Sequence, residues 1–275
     1  MKKPIAIQGI KGSFHHEVVL NYFDNQIDVV ECMTFDSEVN TLLEEQTDEI
    51  VMALENSIAG SIIPNYALID NNQLSIVGEY YLDIQHQLMA LENQSIADIN
   101  EVHSHPMALL QCKVFFRDFP HIKLVEAKDT ADVAKQISEQ KIKGIAAIAS
   151  KSAAQLYGLN ILAESIQTIK ENETRFVFVK REMDHADENE INKASLKFEL
   201  DHKRGSLATI LNVLSDCKLN LTKIQSLPKI ETPWKYAFFV DVTFDKYENY
   251  KKAKSIMAIM AENFKVLGEY KNARL

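Results

Sequence analysis

Short apolar runs alternate with stretches of helical periodicity over the first 180 residues, and this alternation is the strongest constraint on the fold. Six runs have the length of buried strands: Ile5–Ile7, Ile27–Cys32, Ile50–Leu54, Ile122–Glu126, Ile145–Ala149 and Asn160–Ala163. Four segments have the apolar spacing of helices: Phe35–Glu45, Pro106–Arg117, Ala131–Glu139 and Lys151–Tyr157. The candidate N-caps or first-turn signals of helices are Asp36, Ser104, Asp129 and Ser150. The pattern favours an α/β fold with mainly parallel sheets.

A polar segment, residues 181–193, separates this region from a tail with a different pattern. The segment has little to bury and is predicted to be a linker. The tail is predicted to run strand, helix, strand, strand, helix, strand: Ser195–Leu200, Gly205–Cys217, Leu219–Ile224, Lys235–Phe244, Tyr247–Asn263 and Phe264–Gly268. This βαββαβ order within about 80 residues is ferredoxin-like.

The composition bounds the class of protein. The chain has 275 residues, of which 46% are hydrophobic, so it is long enough for more than one domain with a packed core. Its net charge of −9 argues against a nucleic-acid partner, and an anionic substrate would need donors placed close to it. No apolar stretch reaches the ~18 residues of a membrane helix. The run after Met1-Lys2-Lys3 is broken by Gln8 and Gly9, so no signal peptide is expected either.

Cysteine and histidine spacing gives no metal signature. Cys32, Cys112 and Cys217 lack CxxC spacing, which is typical of free thiols in a reducing compartment. His103 and His105 lie two residues apart with no third ligand candidate nearby. A cytoplasmic protein without metal or cofactor is therefore expected.

Two segments place polar groups at predicted strand ends. Gly9–His16 runs from a strand through a glycine turn into a helix, which suits either an anion site or a ligand-free tight turn. Glu55–Ser61 puts a carboxylate, a carboxamide and two hydroxyls at the carboxyl end of a strand, where α/β sheets bind ligands. A capped turn is the alternative reading of this second segment.

Two further segments carry polar side chains. Ser104 and Gln111 lie seven residues apart, so within a helix they would share a face, although Ser104 could instead be a simple N-cap. Asn172–Phe176 places the hydroxyl of Thr174 beside the guanidinium of Arg175 at a strand start. Each residue also fits an ordinary strand position.

Together and in this order, the four segments resemble those of the prephenate dehydratase family. The glycine turn of the family matches Gly9–His16, and its Glu-Asn-Ser-x-x-Gly-Ser segment matches Glu55–Ser61. Its Ser-His-Pro-x-Ala-Leu-x-Gln-Cys segment matches Ser104–Cys112, and its Asn-x-Thr-Arg-Phe motif matches Asn172–Phe176. A fifth stretch, Ala146–Gly158, resembles the family's segment before this last motif. The resemblance implies a catalytic region, residues 1–182, of two type II periplasmic-binding-protein-like lobes. Lobe one would take residues 1–78 and 160–182 and lobe two residues 79–159, with a linker at 183–193 and an ACT regulatory domain at 194–275.

The resemblance also implies an activity and a set of site residues. The family converts prephenate to phenylpyruvate without cofactor or metal. The implied catalytic residues are Thr174, Glu55 and Arg175, with Thr174 assisting the leaving hydroxyl and Glu55 as the competing proton donor. Donors suited to anchoring carboxylates, together with one aromatic residue, form the implied substrate-binding set: Asn56, Ser57, Ser104, Gln111 and Phe176.

The ACT-like tail implies feedback by L-phenylalanine at a subunit interface of a homodimer or homotetramer. The implied effector-binding residues are Gly205, Ser206, Leu207, Asn220, Leu221, Gln225 and Ser226. The family's Glu-Ser-Arg-Pro is replaced by Gln225–Pro228 here, which removes a carboxylate and a guanidinium. Arogenate dehydratase and a non-catalytic amino-acid sensor are the alternatives. No fused chorismate mutase is expected.

Overall fold

A computed structural model describes residues 3–23, 27–183, 187–200, 203–228 and 235–274. Met1 and Lys2 of the basic start, and residues 184–186 of the predicted linker, lie outside the described residues. The helices and strands follow one another in this order: β1 (Ile5–Gln8), α1 (Phe14–Tyr22), β2 (Val29–Cys32), α2 (Phe35–Leu43), β3 (Glu49–Asn56), β4 (Gly60–Ser61), α3 (Ile63–Asn71), β5 (Ser75–Asp83), β6 (Gln87–Ala90), β7 (Glu101–Ser104), α4 (Pro106–Cys112), β8 (Lys123–Glu126), α5 (Thr130–Gln140), β9 (Ile145–Ala149), α6 (Lys151–Tyr157), β10 (Asn160–Ala163), β11 (Glu173–Lys180), β12 (Lys193–Glu199), α7 (Ser206–Asp216), β13 (Asn220–Pro228), β14 (Tyr236–Thr243), α8 (Tyr247–Met260) and β15 (Glu262–Tyr270).

The chain folds into two compact units, and the first contains Met1–Gly60 and Tyr81–Phe176. In this unit β1 pairs in parallel with β2 and β3. A second sheet has the strand order β10-β6-β9-β7-β8 and mixes parallel and antiparallel pairs. The predicted α/β character is confirmed, and the carboxyl ends of β3 and β7 carry two of the segments singled out above.

Local signals account for most elements of this unit. Helix α5 buries Ala131, Ala134 and Ile137, which recur at helical spacing, and Asp129 caps it as predicted by accepting from the N–H of Asp132. Strand β3 is buried along Ile50–Leu54 because apolar side chains of the sheet are covered on both faces.

Asp36 is a first-turn residue of α2 rather than its cap, because the hydroxyl of Thr34 accepts from the N–H of Ser37. The cap predicted at Ser104 is wrong. His105, not Ser104, caps α4 through Nδ1, because Ser104 is still the last residue of β7. The helix predicted over Pro106–Arg117 ends at Cys112, and a short 3₁₀ turn follows at Phe115–Asp118. Four strands of the described residues were not predicted: β4, β5, β6 and β7.

The second unit contains Ser61–Tyr80 and Val177–Leu275. Its C-terminal part has the predicted βαββαβ order, β12-α7-β13-β14-α8-β15, with the antiparallel strand order β13-β14-β12-β15. Helices α7 and α8 cover one face through a core that includes Ile210, Leu214, Tyr250 and Met257. The ferredoxin-like prediction is therefore confirmed.

Charged side chains lie buried between the ferredoxin-like sheet and residues 61–80 of the same unit. Lys193 donates to both carboxylate oxygens of Glu79, at 2.9 and 2.8 Å, and both side chains are buried. Lys197 lies 3.3 Å from Asp70. Lys193 falls in the segment predicted as linker, yet it begins β12 and is 3% exposed.

Strand β15 approaches β5 at a glycine. Gly268 pairs with Ile76 in parallel, and a Cβ built on Gly268 would lie 2.2 Å from the carbonyl oxygen of Ile76. Only a residue without a side chain fits at this distance.

In the described part of the chain, none of the helices is long and apolar enough to cross a membrane. None of the His, Cys, Asp and Glu side chains in this part form a group of three that could hold a metal ion.

Candidate active site

The candidate site begins at Asn56, the last residue of β3. Its Oδ1 accepts from the backbone N–H groups of Ile58 at 3.0 Å and Ala59 at 2.9 Å, so the carboxamide closes the turn that follows the strand. Both bonds use the oxygen. The Nδ2 group therefore faces the other way and is a donor.

The Nδ2 group of Asn56 donates to the start of β11. Its acceptors are Asn172 Oδ1 at 2.7 Å and Thr174 Oγ1 at 2.9 Å, with the Glu173 carbonyl at a longer 3.3 Å. Thr174 thus accepts through its oxygen, and among the described residues its side chain makes no other hydrogen bond. Its hydroxyl proton could therefore be donated to a ligand.

Asn172 joins this cluster to helix α4. The residue is fully buried, and its Nδ2 donates to Gln111 Oε1 at 3.0 Å. Asn172 belongs to the Asn-x-Thr-Arg-Phe motif, which predicts no separate role for it. Its contacts lie 61 and 116 positions away along the chain, so no local pattern could have indicated them.

Glu55 and Arg175 form an ion pair, with Nη1 3.8 Å from Oε1. Arg175 is 1% exposed, so in this structure its guanidinium faces protein groups. A guanidinium this close favours the ionised form of a carboxyl group. The role of Glu55 as a proton donor stays a prediction, and this ion pair is an argument against it.

The structure does not bring every predicted residue to the same point. Ser57 is exposed and pairs with Glu173 in both directions, at 2.8 and 2.9 Å. Ser104 is fully buried and donates to the carbonyl of Ile148 at 2.7 Å, which joins β7 to β9. Phe176 is 1% exposed and packs in the core, with its ring 4.9 Å from that of His15. Neither Ser104 nor Phe176 presents its side chain to a ligand here.

An apolar cavity of about 410 Å³ opens beside Gln111. Leu110, Val114 and Ile169 line it together with the cations Lys113 and Arg117. Apolar walls with a few donors and cations suit a small organic anion that carries a ring.

The glycine turn is occupied by the protein itself. Lys11 N–H donates to Glu31 Oε1 at 2.8 Å, and Gly12 N–H donates to His16 Nδ1 at 3.1 Å. Ser13 caps α1. Gly9 and Gly12 have φ of +93° and +90°, which explains both glycines. The geometry favours the tight-turn alternative.

In the second unit, the predicted effector residues lie around α7 and β13. Gly205, at φ +85°, caps α7, and Ser206 lines a cavity of about 250 Å³ together with Ile210 and Met260. Leu207 and Leu221 pack on the core. Asn220 and Ser226 are exposed, and Gln225 donates to the carbonyl of Ser226 at 3.0 Å.

These features define a class: α/β proteins in which amide, hydroxyl and guanidinium groups cluster beside an apolar cavity, with a C-terminal ferredoxin-like module. Residues 5–184 match the profile of the family described as prephenate dehydratase. The chain belongs to the prephenate dehydratase family.

Individual relatives agree with this assignment. The chloroplastic arogenate dehydratase/prephenate dehydratase 2 of Arabidopsis thaliana is 35% identical over 246 residues, which are 86% of this chain and 64% of the relative. The chain spans 56% to 64% of the length of the first three curated relatives it matches.

Solved structures confirm the predicted fold class. The prephenate dehydratase of Arthrobacter aurescens in complex with L-Phe has a TM-score of 0.89 at 22% identity and covers 98% of this chain and 90% of its own. GqqA, named as a novel type of quorum quenching acylase, has a TM-score of 0.87 at 25% identity and covers 98% of both chains.

Proposed function

We propose that this protein is a prephenate dehydratase, a carbon–oxygen lyase that converts prephenate to phenylpyruvate in L-phenylalanine biosynthesis. The observation that carries the proposal is the bond from Asn56 to Thr174 Oγ1. It uses the threonine oxygen as an acceptor and so leaves the hydroxyl able to donate to a substrate, in a family described by this reaction.

The reaction suits the residue types at the site. Prephenate dianion takes up one proton and yields phenylpyruvate, carbon dioxide and water. The electron pair of the breaking C–C bond enters the ring as the C4 hydroxyl leaves. No electron acceptor is consumed, since the ring itself becomes aromatic.

Thr174 assists the departing hydroxyl in this proposal. A threonine hydroxyl is a poor general acid, but its hydrogen bond strengthens as negative charge builds on the leaving oxygen. The N–H of Asn56 on Thr174 Oγ1 polarises the hydroxyl further. Gln111 and the cations of the cavity bind carboxylate. Buried Arg175 is paired with Glu55 and follows Thr174 in β11.

Thr174→Val tests this role, because valine keeps the shape and removes the hydroxyl. We expect kcat for purified protein to fall at least a hundredfold, with an unchanged melting temperature. A kcat within about threefold of wild type would remove Thr174 from the mechanism.

Three alternatives are tested beside prephenate turnover on the same purified protein. Arogenate is the alternative substrate, since the Arabidopsis relative carries both names. A quorum-quenching assay covers the activity named for GqqA. Ligand binding without turnover would indicate the sensor alternative. Phenylpyruvate from prephenate, faster than any other product, is the result that supports the proposal.

Feedback by L-phenylalanine is part of the proposal. The ferredoxin-like module, taken as the ACT domain of residues 194–275 beside a catalytic region of residues 1–182, would bind the effector where two copies meet in a homodimer or homotetramer. The cytoplasm is the proposed location. Isothermal titration with phenylalanine and tyrosine tests the effector, and no heat at millimolar ligand would contradict regulation.

A further inference from the structure

His86, between β5 and β6, is held through its backbone and through one ring nitrogen, although no motif marks it. Its backbone N–H donates to Gln167 Oε1 at 3.0 Å, and its carbonyl accepts from Ile166 N–H at 2.9 Å. The ring is buried, and the ring of Phe14 meets it edge to face at 5.6 Å. Its Nε2 lies 2.9 Å from Gln111 Oε1. The imidazole therefore has one fixed position.

The direction of the hydrogen bonds at the site fixes the tautomer of His86. The turn after β3 occupies Asn56 Oδ1, so Asn56 donates to Asn172 Oδ1. Asn172 must then donate through Nδ2 to Gln111 Oε1. An oxygen that accepts cannot donate to His86, so His86 Nε2 carries the proton.

The opposite tautomer is disfavoured at both ring nitrogens. Nδ1 of His86 is buried and has no hydrogen-bond partner in the described part of the chain. A proton on Nδ1 would lack an acceptor, while the lone pair of Nε2 would face that of Gln111 Oε1. Burial also lowers the pKa of His86, although the bond to Gln111 raises it in part, so the ring is neutral.

Two donors on one oxygen orient the amide of Gln111. Oε1 receives N–H groups from His86 and Asn172 on the protein side. Gln111 lines the apolar cavity, so its Nε2 group is left to donate to a ligand there. The backbone carbonyl of Gln111 accepts from Thr168 N–H at 2.9 Å, in the segment that also holds His86.

We infer that His86 is a positioning residue: its Nε2–H holds Gln111 with the amide N–H₂ aimed at the carboxylate of the substrate. The inference rests on the proposed function for the identity of that substrate. His86 itself touches no reacting atom.

Three substitutions separate positioning from structure. Glutamine reaches as far as Nε2 and keeps a donor, asparagine has the same amide but is too short, and leucine has none. For His86→Leu and His86→Asn we expect KM for prephenate to rise at least tenfold with kcat within threefold, because binding is lost equally in the ground and transition states. His86→Gln should restore KM to within threefold. Equal KM for the glutamine and leucine variants, or a fall confined to kcat, would overturn the inference.

A second measurement does not depend on activity. Nitrogen-15 NMR of the imidazole in the full-length wild type should show Nε2 protonated and Nδ1 unprotonated for His86, and Gln111→Leu should shift the Nε2–H signal. An Nδ1–H tautomer, or no shift, would overturn the inference even if prephenate is turned over. The expected spectrum with no prephenate turnover would instead refute the proposed function and leave the contact from His86 to Gln111 standing.

Discussion

Buried His15 should make the free energy of unfolding depend on pH, and replacing His15 should remove this part of the dependence. The residue lies in α1 and is 8% exposed, between the rings of Phe35 and Phe176. Its Nε2 has no hydrogen-bond partner among the described residues. Burial lowers its pKa to about 3.

The sign follows from which state binds the proton first. The unfolded chain binds it near pH 6.5 and the folded chain near 3, so this contribution to stability is fully present above about pH 6.5 and is lost as pH falls towards 3. Between pH 6.5 and 3, the lowered pKa of His15 corresponds to a loss of about 5 kcal/mol in the free energy of unfolding, at about 1.4 kcal/mol per pH unit. Between pH 7.5 and 5.0 the loss is about 2 kcal/mol.

His15→Leu tests the magnitude by urea unfolding at pH 7.5 and 5.0, followed by circular dichroism. Between these two pH values, the free energy of unfolding of wild type should fall by about 2 kcal/mol more than that of the variant. The urea midpoint of wild type should correspondingly fall by roughly 1 M more. Other groups, such as His16, titrate in both proteins and cancel. His121→Leu, at an exposed histidine, is the matched control and should behave as wild type. A His15→Leu variant as sensitive to pH as wild type would refute the reasoning.

Three further substitutions are informative. In steady-state kinetics, Glu55→Gln should keep kcat within about tenfold of wild type, because the nearby guanidinium favours the ionised form of the carboxyl group. A loss of about a hundredfold or more would instead indicate that Glu55 is the acid. Gly268→Ala should lower the free energy of unfolding by about 1–3 kcal/mol, because the new Cβ meets a backbone carbonyl; an unchanged melting temperature would contradict this. Lys193→Met should cost about 3–5 kcal/mol by leaving the charge of Glu79 buried without its ammonium, and adding Glu79→Gln should recover part of that in the same urea experiment.

Elements with local causes could be predicted from the sequence. The caps at Asp129 and Ser150 need only a side chain and the N–H three residues on. The βαββαβ order follows from apolar spacing alone. Strand β5 escaped prediction because its polar residues look exposed. Glu79 of this strand is buried and accepts from Lys193, 114 positions later.

The candidate site divides in the same way. Thr174, Asn56 and Gln111 belong to recognisable segments, so their types and order could be predicted. The hydrogen bonding of Thr174 could not be predicted, because it depends on whether the oxygen or the nitrogen of the Asn56 carboxamide faces it. The turn after β3 binds the oxygen, so the nitrogen faces Thr174. No local sequence pattern marks His86, because the role inferred for it depends on its contact with Gln111, 25 positions later.

The placement of residues 61–80 limits how freely family members could exchange modules. These residues fold with the C-terminal strands rather than with their neighbours in sequence. A cassette cut after β11 would keep Glu79 and discard Lys193, which carries the matching charge. A functional chimera would need to inherit both pieces from one parent, so the true unit of exchange is discontinuous in the gene.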